Sequence, residues 1–167
     1  MKKIDSTHLT YYNKFSSFLK RHFGERVQKI TINANFTCPN RDGTLGTGGC
    51  IYCNNSGFNV NVRQSPASIP DQIKRGIAHG KTRKVSKFIA YFQPFSNTYA
   101  PTNVLEECYS HIRAFPEIVG LSIGTRPDCI SDEKISIIQT FTKDYMVWIE
   151  YGRSEEHTSE LQSLLII

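Results

Sequence analysis

The sequence lacks any long apolar run. No stretch of its 167 residues approaches the roughly 20 consecutive apolar residues that a membrane-spanning helix needs. The opening residues, MKKIDSTHLTYYNK, also lack the apolar segment of a secretory signal peptide. No repeat or low-complexity segment interrupts the chain. We therefore expect a cytoplasmic protein without a membrane partner.

The sequence also lacks a strong excess of one charge. Twenty Lys and Arg residues against fifteen Asp and Glu residues give a net charge of +5 and a pI of about 9.0. This mildly basic balance permits an anionic partner such as RNA without requiring one. The 39% of hydrophobic residues is enough for a core, and the length fits one domain or part of a larger one.

Histidine is absent between His22 and His79, whereas this interval holds three of the five cysteines, within CPNRDGTLGTGGCIYC from Cys38 to Cys53. In a reducing compartment, clustered cysteines bind metals or catalyse reactions more often than they form disulfides. A structural zinc ion needs four ligands, which would require Cys129 to be brought in by the fold. A [4Fe–4S] cluster held by three cysteines leaves one iron open for a small molecule. Spacing alone leaves zinc and the cluster open, and a redox C-x-x-C would leave Cys38 unused.

Helical and strand-like segments alternate along the chain. Apolar periodicity predicts helices over 11–23, 68–82, 101–115 and 131–144, and strands over 27–38, 87–95, 118–125 and 145–152. Strands that alternate with helices of this length indicate parallel strands joined by right-handed crossovers. An open Rossmann-type sheet and a (β/α) barrel both fit this pattern.

The unusual polar segments follow the predicted strands. The cysteine-containing loop follows the first strand, QPFSNTY the second and GTRPDC the third, while Glu150 closes the fourth. Barrels and open α/β sheets both build their sites at the carboxyl ends of strands. The sequence therefore predicts a functional site at this end of the sheet.

A strand followed by a cysteine, a glycine-rich loop and a C-aromatic-C motif resembles the radical S-adenosylmethionine (radical SAM) superfamily. The eleven residues between Cys38 and Cys50 depart from the common C-x-x-x-C-x-x-C spacing. With CPNRDGT, GGCIYC, GTRPDC and IEYG, this longer spacing resembles the subgroup related to the elongator catalytic subunit and its bacterial relatives. The resemblance covers roughly residues 29–152. It implies the N-terminal part of a partial (β/α)6 barrel with parallel strands, ending after about four of them.

The resemblance also implies an activity. Cys38, Cys50 and Cys53 would bind a [4Fe–4S] cluster that reductively cleaves S-adenosylmethionine (SAM) to methionine and a 5′-deoxyadenosyl radical, which takes hydrogen from a substrate. Relatives in the subgroup act on the wobble uridine of transfer RNA, which implies a tRNA substrate and an electron donor such as flavodoxin or ferredoxin. The alternative is a zinc-stabilised RNA-binding module without catalysis.

Five further residues are candidate SAM contacts. Tyr52 fills the place of the aromatic residue before the third cysteine. Arg126 can form a two-point bond with the SAM carboxylate or an ion pair with Asp128, and Glu150 can accept from the SAM ammonium or from ribose hydroxyls. The Gly-Gly-Glu run that follows the second strand in many members is absent, and polar residues take its place: Gln93, Ser96, Asn97 and Thr98. Of these we select Gln93 and Asn97, and we expect Arg41 and Asp42 to brace the cysteine-containing loop.

The last fifteen residues form a separate segment. RSEEHTSELQS, residues 153–163, matches eleven consecutive residues of the translation of a common sequencing adapter. We predict a helical extension over 1–28, a partial radical SAM core over 29–152 and a non-native tail over 153–167. The tail is expected to lie outside the sheet as a loop or stray helix. The fourth strand would then be an exposed edge, and the chain an inactive, poorly soluble fragment.

Overall fold

The computed structural model describes residues 12–50, 53, 67–152 and 163–166. Within them the chain forms an α/β fold of four helices and five strands. In chain order these are α1 (Phe15–Phe23), β1 (Val27–Ile32), α2 (Ile69–Thr82), β2 (Lys87–Phe92), α3 (Thr102–Ser110), β3 (Ile118–Thr125), α4 (Asp132–Thr140), β4 (Met146–Tyr151) and β5 (Ser163–Ile166). None of the described helices is both long enough and apolar enough to span a membrane.

The first four strands form a parallel sheet in the order β1-β2-β3-β4. The predicted alternation of strands and helices is therefore confirmed. A doubly wound sheet reverses its strand order at a switch point. The four parallel strands described here instead follow one another in sequence order without a reversal.

The two faces of the sheet are covered differently, because successive side chains of a strand point to opposite sides. Helices α2, α3 and α4 all pack on one face, where their buried residues join alternate residues of the strands in one large core. We call this the helix face. The other face carries a small cluster of Leu19 of α1 with Ile89 and Trp148, and the ring of Phe15 lies edge-on to Trp148 at 5.6 Å. We call it the open face.

Helix α2 begins as the sequence predicts and then approaches the sheet closely. The backbone N–H of Asp71 donates to the hydroxyl of Ser68, the N-cap residue, at 3.2 Å. Two glycines one turn apart, Gly76 and Gly80, face the sheet. A Cβ atom on Gly80 would lie 2.1 Å from the Phe88 ring, so the helix packs at a distance that only glycine permits.

The first strand is shorter than predicted. It ends at Ile32 instead of continuing to Cys38. Asn35 adopts a left-handed backbone conformation with φ of 59°, and its N–H donates to the Asn33 side chain at 2.9 Å. This local turn competes with continued strand pairing. Helix α1 begins at Phe15, so the prediction of a helix from Tyr11 is wrong for residues 12–14, where the N-cap residue Lys14 is in an extended conformation. Tyr11 lies outside the described residues.

The expectation that the whole tail lies outside the sheet is wrong for four residues. Strand β5 pairs antiparallel with β4, with Ser163 opposite Tyr151 and Ile166 opposite Trp148. The physical reason is that an open β4 edge presents unpaired N–H and C=O groups that any extended segment can satisfy. Residues 153–162 and 167 lie outside the described residues.

Candidate cofactor site

The three clustered cysteines lie on one loop, residues 38–53, which we call the cysteine loop. It follows the carboxyl end of β1, and a backbone hydrogen bond closes each end of it. The N–H groups of Arg41 and Asp42 donate to the Cys38 carbonyl, and the N–H of Cys53 donates to the Cys50 carbonyl at 2.9 Å. Cys38 is buried, Cys50 and Cys53 are half-buried, and none of the three forms a disulfide.

Asn40 and Arg41 connect the two ends of the cysteine loop. The Asn40 side-chain N–H group donates to the sulfur of Cys50 at 3.1 Å, and the Asn40 carbonyl accepts from the N–H of Gly49 at 2.8 Å. The Arg41 guanidinium lies 3.4 Å from the Cys53 carbonyl. Gly49 has a φ of 74°, a left-handed backbone conformation that favours glycine over residues with a Cβ. The prediction that Arg41 braces the loop is confirmed.

Asp42 braces the loop as well. Its carboxylate accepts from the N–H of Thr44 at 3.0 Å, and hydrogen bonds from Thr44 hold the pKa of Asp42 below its usual value. The Thr44 hydroxyl in turn lies 2.9 Å from the hydroxyl of Tyr99, in the loop after β2. The glycine-rich part of the cysteine loop is therefore hydrogen-bonded to the loop that follows β2.

The loop after β2 joins the loops on either side of it. The N–H of Ser96 donates to the carbonyl of Thr37 at 3.2 Å, on the cysteine-loop side. The side chain of Asn97 donates to the Gly124 carbonyl at 2.9 Å, and the Thr98 hydroxyl donates to the Cys129 carbonyl at 2.8 Å. Asn97 is completely buried, so in this conformation it braces the loops.

Arg126 forms a two-point ion pair with Asp128, which is one of the two partners that the sequence predicts for it. Its Nε and Nη2 atoms lie 2.8 Å and 2.6 Å from the two carboxylate oxygens. The hydrogen bonds to Asp128 raise the pKa of Arg126, and the arginine lowers the pKa of Asp128. Arg126 also lies within electrostatic range of Cys38 and Cys129.

Glu150 belongs to a group of four polar side chains that spans all four parallel strands on the open face. We call it the polar quartet: Lys29, Tyr91, Ser122 and Glu150. Lys29 forms an ion pair with Glu150, the Ser122 hydroxyl donates to the same carboxylate at 2.8 Å, and Tyr91 also bonds to it. The Lys29 ammonium lies 4.2 Å from the centre of the Tyr91 ring.

The quartet keeps Glu150 ionised. Burial raises the pKa of Glu150, but hydrogen bonds from Lys29 and Tyr91 and the lysine charge outweigh burial and lower it. Burial and the neighbouring carboxylate raise the pKa of Tyr91. Because Lys29 already neutralises Glu150, a second ammonium here would meet a like charge. Of the two ligand groups considered for Glu150, this arrangement favours hydroxyls over the ammonium.

The structure therefore brings the predicted residues to one end of the sheet without bringing them to one point. Cys38, Cys50 and Cys53 share a loop beside Arg126, and Gln93 bonds through its N–H to the carbonyl of Ile32 at the end of β1. No three His, Cys, Asp or Glu side chains among the described residues lie close enough to share one metal ion. The predicted contact Tyr52 lies outside the described residues.

Sequence reasoning missed three members of the quartet, Lys29, Tyr91 and Ser122. Lys29 carried a usable signal, because a lysine in the middle of the apolar strand VQKITI needs a partner or an exit to water. The sequence does not show which members of the quartet contact one another. These contacts depend on strand register, which places Tyr91 opposite Ser122 and Gly124 opposite Glu150. Register in a parallel sheet depends on packing between elements far apart in sequence.

The chain is similar to proteins from bacteria and an archaeon. It is 36% identical to protein YhcC of Escherichia coli over 155 residues, which is 91% of the chain and 48% of YhcC. It is 38% identical to YtqA of Bacillus subtilis over 158 residues, 93% of the chain and 48% of YtqA. It is 34% identical to MJ0486 of Methanocaldococcus jannaschii over 156 residues, 92% of the chain and 47% of that protein.

The chain thus spans about half the length of the curated relatives that it matches. The names of these relatives state no activity, ligand or partner. No family model matches the chain, and no solved structure matches it.

Proposed function

We propose that this chain carries the cluster-binding part of a radical SAM enzyme, with a tRNA as the substrate of the whole protein. We further propose that the four sequential strands are the first part of a (β/α)6 barrel, whose interior is the open face. The observation that carries the proposal is three free thiols on a glycine-rich loop at the carboxyl end of β1. Sites in (β/α) barrels lie at that end of the strands.

The donor set fits an iron–sulfur cluster in its chemistry. Thiolates are the ligands that such clusters require, and the side-chain N–H of Asn40 is directed at the sulfur of Cys50. A [4Fe–4S] cluster takes each cysteine on a different iron, so the three sulfurs need not converge on one point. A zinc ion would need four donors around a single centre. The cysteines fit the cluster better than they fit zinc.

The chain's own residues have separate tasks in this proposal. When bound, the cluster would supply the electron that cleaves SAM to methionine and a 5′-deoxyadenosyl radical. Asn40 and Arg41 hold the C-x-x-C turn against the Cys38 turn. Glu150, kept ionised by Lys29, offers a fixed acceptor to hydroxyl groups of a ligand on the open face. Arg126, held by its ion pair with Asp128, lies within electrostatic range of Cys38.

The test is anaerobic reconstitution with iron and sulfide, followed by metal analysis and an absorption spectrum. We expect a brown protein with about four irons, since each cluster of this type contains four. Changing Cys38, Cys50 or Cys53 to Ala should abolish bound iron, because a three-thiolate site has no spare ligand. The matched control is Cys108→Ala, which removes a free thiol that packs against the core instead of lying on the loop.

Two results would contradict the proposal. One is a full complement of iron in the Cys50→Ala variant. The other is a colourless protein with one equivalent of zinc, which would support the RNA-binding module without catalysis.

A further inference from the structure

A shallow groove of about 630 Å³ lies at the end of the sheet opposite the cysteine loop. It runs between the end of α1 and the turns that lead into β3 and β4. Three aromatic side chains, His22, Phe23 and Tyr145, line it together with Pro116, one cation, Lys143, and one acid, Asp144. His22 is exposed, and Phe23 and Tyr145 are half-buried. The His22 ring stacks on Phe18 with ring centres 6.2 Å apart and meets the Phe23 ring edge-on at 4.7 Å. We call it the amino-end groove. The amino-end groove therefore offers aromatic side chains to a ligand, on a surface separate from the candidate cofactor site.

Basic residues concentrate around this groove. Eight exposed cations lie at the amino end of the sheet: Lys20, Arg21, Arg26, Lys81, Arg83, Lys84, Arg113 and Lys143. The described acidic residues at this end are fewer. Glu25 and Glu117 are already paired, with Lys87 and Lys81, and Asp144 is exposed. Lys81 is balanced by Glu117, and the other exposed cations still outnumber the acids, so the surface at this end is net positive.

The fold explains why the charges separate in this way. Cations are favoured in the last turn of a helix and acids in the first, because of the helix dipole. Helix α1 has Lys20, Arg21 and His22 in its last turn, and α4 has Asp132 and Glu133 in its first. Helix α2 also has His79 and Lys81 in its last turn, whereas α3 and α4 have no basic residue in theirs. The cations that follow those two helices, Arg113 and Lys143, lie in the short 3-10 turns after them. The dipole therefore accounts for part of the positive charge at this end and not for the aromatic groove within it.

A basic surface around exposed rings fits a single-stranded nucleic acid. Such partners are bound by cations that contact phosphates and by aromatic side chains that stack on bases. An electron donor fits less well, since it must approach the cysteine loop. Strands of about six residues place the two ends of the sheet roughly 20 Å apart.

We propose that the amino-end groove binds a single-stranded segment of RNA. The exposed cations contact its phosphates, and His22, Phe23 and Tyr145 contact its bases. The inference rests on the RNA part of the proposed function and locates it on the surface. It does not depend on the cluster.

The experiment measures binding of the purified chain to a fluorescein-labelled, mixed-sequence single-stranded RNA of about 20 nucleotides, by fluorescence anisotropy at several salt concentrations. The test variant combines Arg21→Glu with Lys143→Glu, one on each side of the groove. We expect its affinity to fall at least tenfold near 150 mM salt. We expect the slope of log affinity against log salt concentration to become shallower by about 1.4, because each of the two lost phosphate contacts contributes about 0.7 on a single strand.

The matched control combines Lys74→Glu with Arg75→Glu, two exposed residues on the outer surface of α2. It changes the net charge by the same amount, and screening over about 8 Å at this salt confines the effect of the test pair to nearby phosphates. The control should bind RNA within about twofold of the unchanged chain. A third variant, His22→Ala, removes an exposed ring and should weaken RNA binding several-fold with the salt slope unchanged. Far-UV circular dichroism on each variant verifies folding.

Three outcomes would overturn the inference. Equal losses in the test and control variants would show that only net charge matters. Unchanged RNA binding in His22→Ala, with inorganic polyphosphate or polyglutamate competing as well as RNA, would show a general polyanion surface. No RNA binding at low salt would remove both this surface and the tRNA substrate. None of these outcomes touches the iron content of the same proteins, so failure here and failure of the cluster proposal are separable.

Discussion

The ion pair of Lys29 with Glu150 links the first and the fourth strand of the parallel sheet. Replacing Lys29 by Met leaves the Glu150 carboxylate half-buried without its cation. We expect the free energy of unfolding at pH 7 to fall by about 1–3 kcal/mol, between the ranges for exposed and fully buried pairs. Urea denaturation measures the loss. Lys29→Arg, which keeps the charge, should retain most of the stability.

The pH dependence of the stability difference between the Lys29→Met variant and the parent tests this ion pair. In the unchanged protein the pKa of Glu150 is lowered, so the pair stabilises the fold above the ordinary Glu pKa of about 4.3 and stops doing so as the pH falls through the lowered value. Without Lys29, burial raises the pKa of Glu150. The difference between variant and parent should then be largest near pH 7 and shrink toward pH 4. A difference that stays constant over this range would contradict the assignment.

Asn40 is expected to act on the cluster through the sulfur of Cys50. An N–H donor to a cluster sulfur stabilises the reduced, more negative state, so removing the donor lowers the reduction potential. Asn40→Leu, which keeps the approximate size, should therefore shift the potential of the reconstituted protein to a more negative value. A redox titration monitored by electron paramagnetic resonance measures it. Asn103→Ala, an exposed change on α3, is the control, and equal potentials in the two variants would argue against the role.

At the scale of elements, α2 depends on its two glycines for its distance from the sheet. Gly80→Ala should improve helix propensity by about 1 kcal/mol. The new methyl group, however, would overlap the completely buried ring of Phe88, and overpacking of a core typically costs about 1–3 kcal/mol. We expect net destabilisation by thermal or urea unfolding. His79→Ala, at the exposed neighbouring position, should leave stability nearly unchanged. A more stable Gly80→Ala variant would mean that the helix can move outward.

Sequence reasoning recovers elements much better than it recovers their contacts. The predicted helices and strands from 68 to 152 agree with the structure within a few residues at their ends, because apolar periodicity and the Ser68 cap are local signals. The Gly80 contact and the partners of Glu150 depend on register and on the distance between layers. Within the site, the bracing roles of Arg41 and Asp42 were predictable, since they lie in the loop that they brace. The pairing of Lys29 with Glu150 was not predictable, because 121 positions separate the two residues along the chain.

For the molecule as a whole, the last strand raises the question of what protects the edge of the parallel sheet. Strand β5 takes up the backbone groups of β4 from Trp148 to Tyr151 that would otherwise be open. The first residue of β5, Ser163, is the last of the adapter-like segment and the other three follow it, so sequence reasoning placed them outside the fold. Their pairing shows that an extended segment at this position covers the edge of the parallel sheet.

We therefore predict that removing residues 153–167 exposes the β4 edge and promotes self-association. That edge strand carries three apolar side chains, Val147, Trp148 and Ile149, and an uncovered apolar edge strand is a site of aggregation. Size-exclusion chromatography with light scattering should show larger species, and the unfolding midpoint should fall. Replacing residues 163–166 by Gly-Ser-Gly-Ser keeps the chain length but weakens strand pairing, and it should have the same effect. If both variants stay monomeric with an unchanged midpoint, β5 contributes nothing to the stability of the sheet, and the original expectation of a tail without a role in the fold would hold.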